Sequence, residues 1–208
     1  MTQTPAPHDG YVKFSAAWTP GPAPDAVAAG ALIDWRTRLF QERLIGMYEN
    51  GIGYGNISIR LNGEGAFIIT GTATGGIPQL TPEHLTTVTG VMFDMNQLSC
   101  TGPCSASSES MSHAMLYQCG ANVQAVIHIH HRRLWEKLLY HVPTTPADVP
   151  YGTPEMASAL RTLWHETDLT NTKVLVMAGH EEGIISFGSS LDEAGMILFS
   201  YVQKNLST

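Results

Sequence analysis

The sequence predicts a single layered α/β domain. Two observations carry the prediction. Segments with apolar residues at helical spacing interleave with short segments that are alternating or continuously apolar, and the two kinds follow one another along the whole chain. The chain has 208 residues, 43% hydrophobic and 14% charged, which is enough for one sizeable core. It contains no internal repeat and no linker long enough to separate domains.

Residues 1–25 are rich in Pro, Gly and Ala and read as an extended arm. A short apolar interruption at Tyr11–Phe14 could add one strand; the domain proper then covers 26–208. Residues 25–50 read as one long helix. Asp25 is its N-cap, Ile33, Phe40, Leu44 and Met47 recur at helical spacing, and Gly51 stops it. Strands follow at Asn56–Leu61 and Ala66–Thr70, joined by an Asn62-Gly63 turn. After the glycine-rich loop 71–80, Thr81-Pro82-Glu83 reads as a helix start and "TVTGVMFDM" as a strand. "SASSESMSHAMLYQCG" reads as a helix opened by serines and closed by Gly120, and "VQAVIHIH" as a strand. Thr153-Pro154-Glu155 opens a helix to about His165, "KVLVMAGHEEGIISFG" makes two strands around a tight loop, and Ser190–Glu193 is a capping box for the last helix.

Charge and cysteine content exclude several classes. A net charge of −7 without a basic cluster argues against a nucleic-acid surface. No apolar run reaches the roughly 20 residues of a membrane helix, and no signal peptide is visible at the N-terminus. Cys100, Cys104 and Cys119 are too few and too irregular for a disulfide framework, which fits a cytoplasmic protein.

Residues two apart on a strand face the same way, so His128 and His130 share one side of their strand with Val126. Two imidazoles on one rigid strand can meet one metal ion with little entropy to lose. His180, where the apolar run "VLVMAG" ends in a hairpin, is a third imidazole at a strand mouth. Three histidines with a fourth position open is the pattern of a catalytic zinc. Ser107 and Ser108 precede an apolar helix, where hydroxyls and free N–H groups make an anion site. Glu109 lies in the first turn, and interaction with the helix dipole is its ordinary role. Gly51, Gly53 and Gly55 follow a helix and precede a strand, the reverse of a dinucleotide fingerprint.

Together "GNISIR", "SSES" with His113, "AVIHIHH" and "GHEEGIISFG" resemble, in order and spacing, the motifs of the class II aldolase/adducin family. The resemblance implies a three-layer α/β/α domain with a central, mostly antiparallel sheet. It implies a divalent metal on His128, His130 and His180: zinc first, with manganese, iron, cobalt or nickel as alternatives. Glu109 would be the carboxylate near the metal, and Asn56, Ser107 and Ser108 would bind a substrate phosphate or equivalent anion. The family's anion-binding Thr-Gly pair falls at Thr70-Gly71 or at Thr74-Gly75; Ile77-Pro78 favours the second. Its general-acid tyrosine falls at Tyr140 or Tyr151. The implied activity is that of a lyase performing aldolase-type C–C cleavage or formation on a small sugar-phosphate-like or hydroxycarbonyl substrate. Decarboxylation, dehydration or epimerisation at the same metal is the alternative, and a non-catalytic adducin-like interaction module is a third reading. The family further implies a homotetramer with sites near subunit boundaries. Ser110 stands where the family often has tryptophan, and the segment between His130 and Tyr151 is short.

Overall fold

The structure, a computed structural model, describes residues 12–61 and 65–206. The expected Asn62-Gly63 turn lies outside them, as does Tyr11; the remainder of the expected 11–14 strand is not a strand, and the first strand lies at Ser15–Pro20 instead. The chain order is β1 (Ser15–Pro20), α1 (Ala26–Gln41), β2 (Gly46–Met47), β3 (Gly53–Tyr54), β4 (Asn56–Arg60), β5 (Phe67–Thr70), β6 (Leu85–Met92) and β7 (Gln97–Gly102). It continues with α2 (Ser110–Cys119), β8 (Ala125–His130), α3 (Arg132–Leu138), α4 (Pro154–Glu166), α5 (Leu169–Thr172), β9 (Val174–Val176), β10 (Gly183–Gly188) and α6 (Leu191–Leu206).

Eight strands form one sheet in the order β1-β7-β6-β5-β4-β8-β10-β9. Among the described strands of this sheet the β1–β7 edge pair is parallel; the other strand pairs are antiparallel. Period-2 alternation sends β8 to two separate cores. Val126 packs with Met111, Met115 and Leu160 of α2 and α4. Ala125, Ile127 and Ile129 pack with Leu32, Leu39, Leu134 and Leu198 of α1, α3 and α6. The domain is therefore three layers, α/β/α. His128 and His130 share the Val126 side and face α2.

Several elements differ from the sequence reading. The first helix ends at Gln41 instead of running to residue 50, and Arg43 takes the left-handed conformation (φ 57°). Beyond it Leu44 and Ile45 are both buried. Consecutive helical residues diverge by about 100°, so both sink into the core more readily once the helix has ended. Thr81-Pro82-Glu83 opens one 3₁₀ turn, not a helix, and the following strand ends at Met92 in a second such turn. The serines at 105–108 form a loop, and α2 starts only at Ser110. β7 and α3 lie where no element was expected. Ser190 Oγ caps α6 through the N–H of Glu193, whereas the Glu193 carboxylate accepts from Ser189 rather than completing the box at Ser190.

Candidate metal centre

His128, His130 and His180 meet at the end of the β8–β10 pair. Register sets the meeting: Asn56 opposes His128 across β4–β8, and Gly183 opposes His130 across β8–β10. His180 closes the β9–β10 loop, its carbonyl accepting the Gly183 N–H at 2.9 Å. The three rings are buried, and their ligand nitrogens lie within 4.8 Å of one another. His130 Nε2 and His180 Nε2 are 3.0 Å apart. A tetrahedral zinc with N ligands at about 2.0–2.1 Å has N–N edges of about 3.3 Å, so the pair needs only a small adjustment to share an ion.

Burial holds all three imidazoles neutral. It pushes His128 down to about 3, and it drives His130 and His180 well below the ordinary 6.5, with the neighbouring histidines adding to the effect. Neutral imidazole is the metal-binding form. His128 Nε2 is buried with no hydrogen-bond partner, which costs free energy unless something coordinates it. Gly183 keeps the space open: a Cβ there would sit 2.7 Å from His180 Cδ2 and 3.2 Å from His128 Nε2. Donor set, protonation and space all fit a divalent cation.

The surroundings of the rings come from distant parts of the chain. Asn56 lies against His128, with Nδ2 3.4 Å from Nδ1 and Oδ1 buried without a partner. Turning the amide by half a revolution makes Oδ1 the acceptor of the His128 Nδ1–H, satisfies Oδ1 and leaves Nε2 for the ion. Tyr48 Oη is 2.8 Å from His130 Nδ1. Glu109 is the N-cap of α2 and 2% exposed; Ser112 Oγ donates to its Oε2, while Oε1 is 3.7 Å from His180 Nε2. The Tyr151 ring stacks on His180 with centroids 4.4 Å apart, and Lys13 Nζ lies 3.6 Å from the Tyr151 centroid. Tyr140, by contrast, is 69% exposed and does not line the cleft.

The three histidines, Asn56, Glu109 and Tyr151 line a half-open cleft together with Ser107, Ser108, Thr74 and Gly75. Its free volume is about 40 Å³, room for about three waters or an ion and its remaining ligands. Both Thr-Gly pairs of the 70–75 loop are near it, but their hydroxyls are engaged. Thr70 Oγ1 accepts the Ile57 N–H, and Thr74 Oγ1 donates to the Gly71 carbonyl. Gly75 is required by packing, since a Cβ would lie 2.4 Å from the Gly46 carbonyl oxygen and 2.8 Å from Gly53 Cα.

Arg36, a buried cation on α1, holds this loop. Its guanidinium donates to the carbonyls of Thr74 (3.0 Å), Gly75 (2.7 Å) and Pro78 (3.1 Å) and to that of Ile77. Desolvation pushes its pKa down to about 10. In a trans peptide the N–H lies opposite the C=O, so the amides of Gly75 and Gly76 point away from Arg36. Tyr48, Tyr54, Arg36 and Lys13 were all missed as site residues. For the tyrosines, the "YENGIGYGN" stretch, with its glycines and Asn-Gly, was a legible hairpin signal.

Helices on both faces of a mostly antiparallel sheet, with a buried three-histidine cluster at the end of its central strands, define a layered α/β protein whose histidines could hold a cation. The profile of the class II aldolase and adducin N-terminal domain matches residues 46–203, and the chain belongs to that family. Its fold is similar to that of L-fuculose 1-phosphate aldolase, at 17% identity and a TM-score of 0.64, over 88% of this chain and 84% of that one. It is also similar to YgbL from Klebsiella pneumoniae (19%, TM-score 0.65, 86% and 87%). A sugar-phosphate aldolase from Thermotoga maritima is a third likeness (16%, TM-score 0.56, 83% and 90%). No curated protein sequence matches the chain significantly. No helix among the described residues is long and apolar enough to cross a membrane.

Proposed function

We propose that the chain is a metal-dependent lyase that makes or breaks a C–C bond beside a carbonyl of a small oxygenated substrate. The observation that supports it best is the pairing of three buried, neutral imidazoles with a buried carboxylate, Glu109, 3.7 Å from the third ring. A divalent cation on His128, His130 and His180, zinc in the first instance, supplies Lewis-acid stabilisation of negative charge developing on substrate oxygen.

The protein's own groups do the rest. Glu109, oriented by Ser112, moves the proton at the carbon next to the carbonyl. Tyr151, pinned between His180 and Lys13, is the candidate proton donor to the leaving fragment. Ser107, Ser108, Asn56 and the Thr74-Gly75 loop hold an anionic or hydroxylated end of the substrate, the last with amides turned away from Arg36. The family further supports a homotetramer with the cleft near a subunit boundary, and light scattering at micromolar concentration would read the mass.

The test is Glu109→Gln, which keeps the shape and removes the base. The variant should fold and retain its metal, while turnover of ketose phosphates or decarboxylation of small hydroxy or keto acids drops by ~10²–10⁴-fold. Wild-type turnover in the variant would remove Glu109 from the mechanism. Equal metal content in wild type, His128→Ala and His180→Ala would remove the centre itself.

A further inference from the structure

We propose that Tyr48 and Glu182 are positioning residues for the metal centre, a hydrogen-bond relay that dictates which nitrogen of His130 carries the proton. This rests on reading the three histidines as a metal centre.

Tyr48 Oη lies 2.8 Å from His130 Nδ1 and 2.8 Å from Glu182 Oε2. An ionised carboxylate only accepts. The single Tyr48 hydroxyl proton therefore goes to Glu182, and towards His130 the same oxygen can only accept. The His130 proton is thereby placed on Nδ1, and the Nε2 lone pair is presented to the space shared with His180. Reversing any one of these polarities would turn Nε2 into a donor and close the site to a cation. The relay ends on a cation at the surface, since Arg132 Nε donates to Glu182 Oε1 at 3.0 Å. Arg132 also pairs with Glu181 at 2.8 Å.

The backbone supports a role for the Glu182 side chain. Glu182 has φ 70°, a left-handed conformation that favours glycine. A non-glycine residue held there against its preference is a pointer to function. Here the carboxylate has a defined task on a histidine 52 positions away in sequence, reached through a tyrosine from a third element. Tyr48 is fixed laterally as well, its ring 4.5 Å from that of Tyr54, which in turn lies 5.6 Å from the His130 ring.

Partners of this kind, one bond behind a histidine ligand, typically cost 10–100-fold in metal affinity when removed. The experiment strips the protein of metal and titrates zinc against a chromogenic chelator for wild type, Tyr48→Phe and Glu182→Gly. Both variants should bind zinc 10–100-fold more weakly. Glu182→Gly should melt no lower than wild type without metal, because glycine suits the left-handed backbone, so its weaker binding is not lost folding. Histidine ¹⁵N–¹H spectra supply the readout that a merely structural role would not move. His130 should be protonated at Nδ1 in the metal-free wild type and a mixture of tautomers in Glu182→Gly. Affinities within twofold of wild type in both variants, or a metal-free wild-type His130 protonated at Nε2, would overturn the relay while leaving the metal centre intact. A wild type that binds no zinc refutes the metal centre and the relay with it.

Discussion

Gly183→Ala tests the centre from its floor without replacing any of the three histidines. The backbone at Gly183 is not in the left-handed region, so alanine adds no conformational strain and its effect is steric. The new Cβ would lie 2.7 Å from His180 Cδ2, 2.9 Å from the His180 carbonyl oxygen and 3.2 Å from His128 Nε2. Ordinary carbon contacts are about 3.5–4.0 Å, so the His180 ring must swing by about 1 Å. Overpacking of this size costs the fold about 1–3 kcal/mol. A ligand displaced this far should weaken zinc by about 10–100-fold, or about 1.4–2.8 kcal/mol. At a free zinc concentration 100 times the wild-type Kd, binding stabilises the wild type by about 2.7 kcal/mol, which is about 5–10 °C in Tm for a chain of this size. Under the same conditions the variant should gain only about 0.4–1.4 kcal/mol, or about 1–5 °C. Paired thermal melts with and without zinc measure both numbers. A zinc-induced shift as large in Gly183→Ala as in wild type would show that the space between the rings is not where the ion binds.

Arg36→Met removes the donors to four loop carbonyls and should destabilise the protein by about 3–5 kcal/mol in urea unfolding; a loss under about 1 kcal/mol would mean that water replaces the guanidinium freely. In the metal-free protein His113, His128, His130 and His180 all have folded-state pKa values pushed below the ordinary 6.5 by burial, to about 3 for His128. The unfolded chain therefore binds more protons as pH falls. Stability is full above about pH 6.5 and is lost below it by up to about 1.4 kcal/mol per pH unit per histidine. Denaturant melts at pH 7 and pH 5 measure the loss, and equal stability at the two values would contradict neutral burial of the rings.

Local rules carried much of the site. The two-residue period of a strand put His128 and His130 on one face, and the apolar-to-polar break after "VLVMAG" marked His180 as a strand-mouth imidazole. Both follow from backbone geometry, which acts over neighbouring residues and is written into the sequence. β1 shows the opposite case. Its six residues are all exposed at the sheet edge, so it has no inward face to impose an alternating pattern, and only pairing with β7 makes it a strand. Helix α1 is intermediate: its apolar spacing was real, but burial of Leu44 and Ile45 together ended it early. The contacts that turn three histidines into a shaped centre are of the second kind. Glu109 reaches His180 from the start of α2, Tyr48 reaches His130 across 82 positions, and Arg36 grips a loop 38–42 positions away. None of these distances has a period, and an arginine or tyrosine in isolation reads the same whether solvated or buried. Their partners were chosen by how two helical layers close on a twisted sheet, because only there does the cost of burying a polar group force each one onto a particular neighbour.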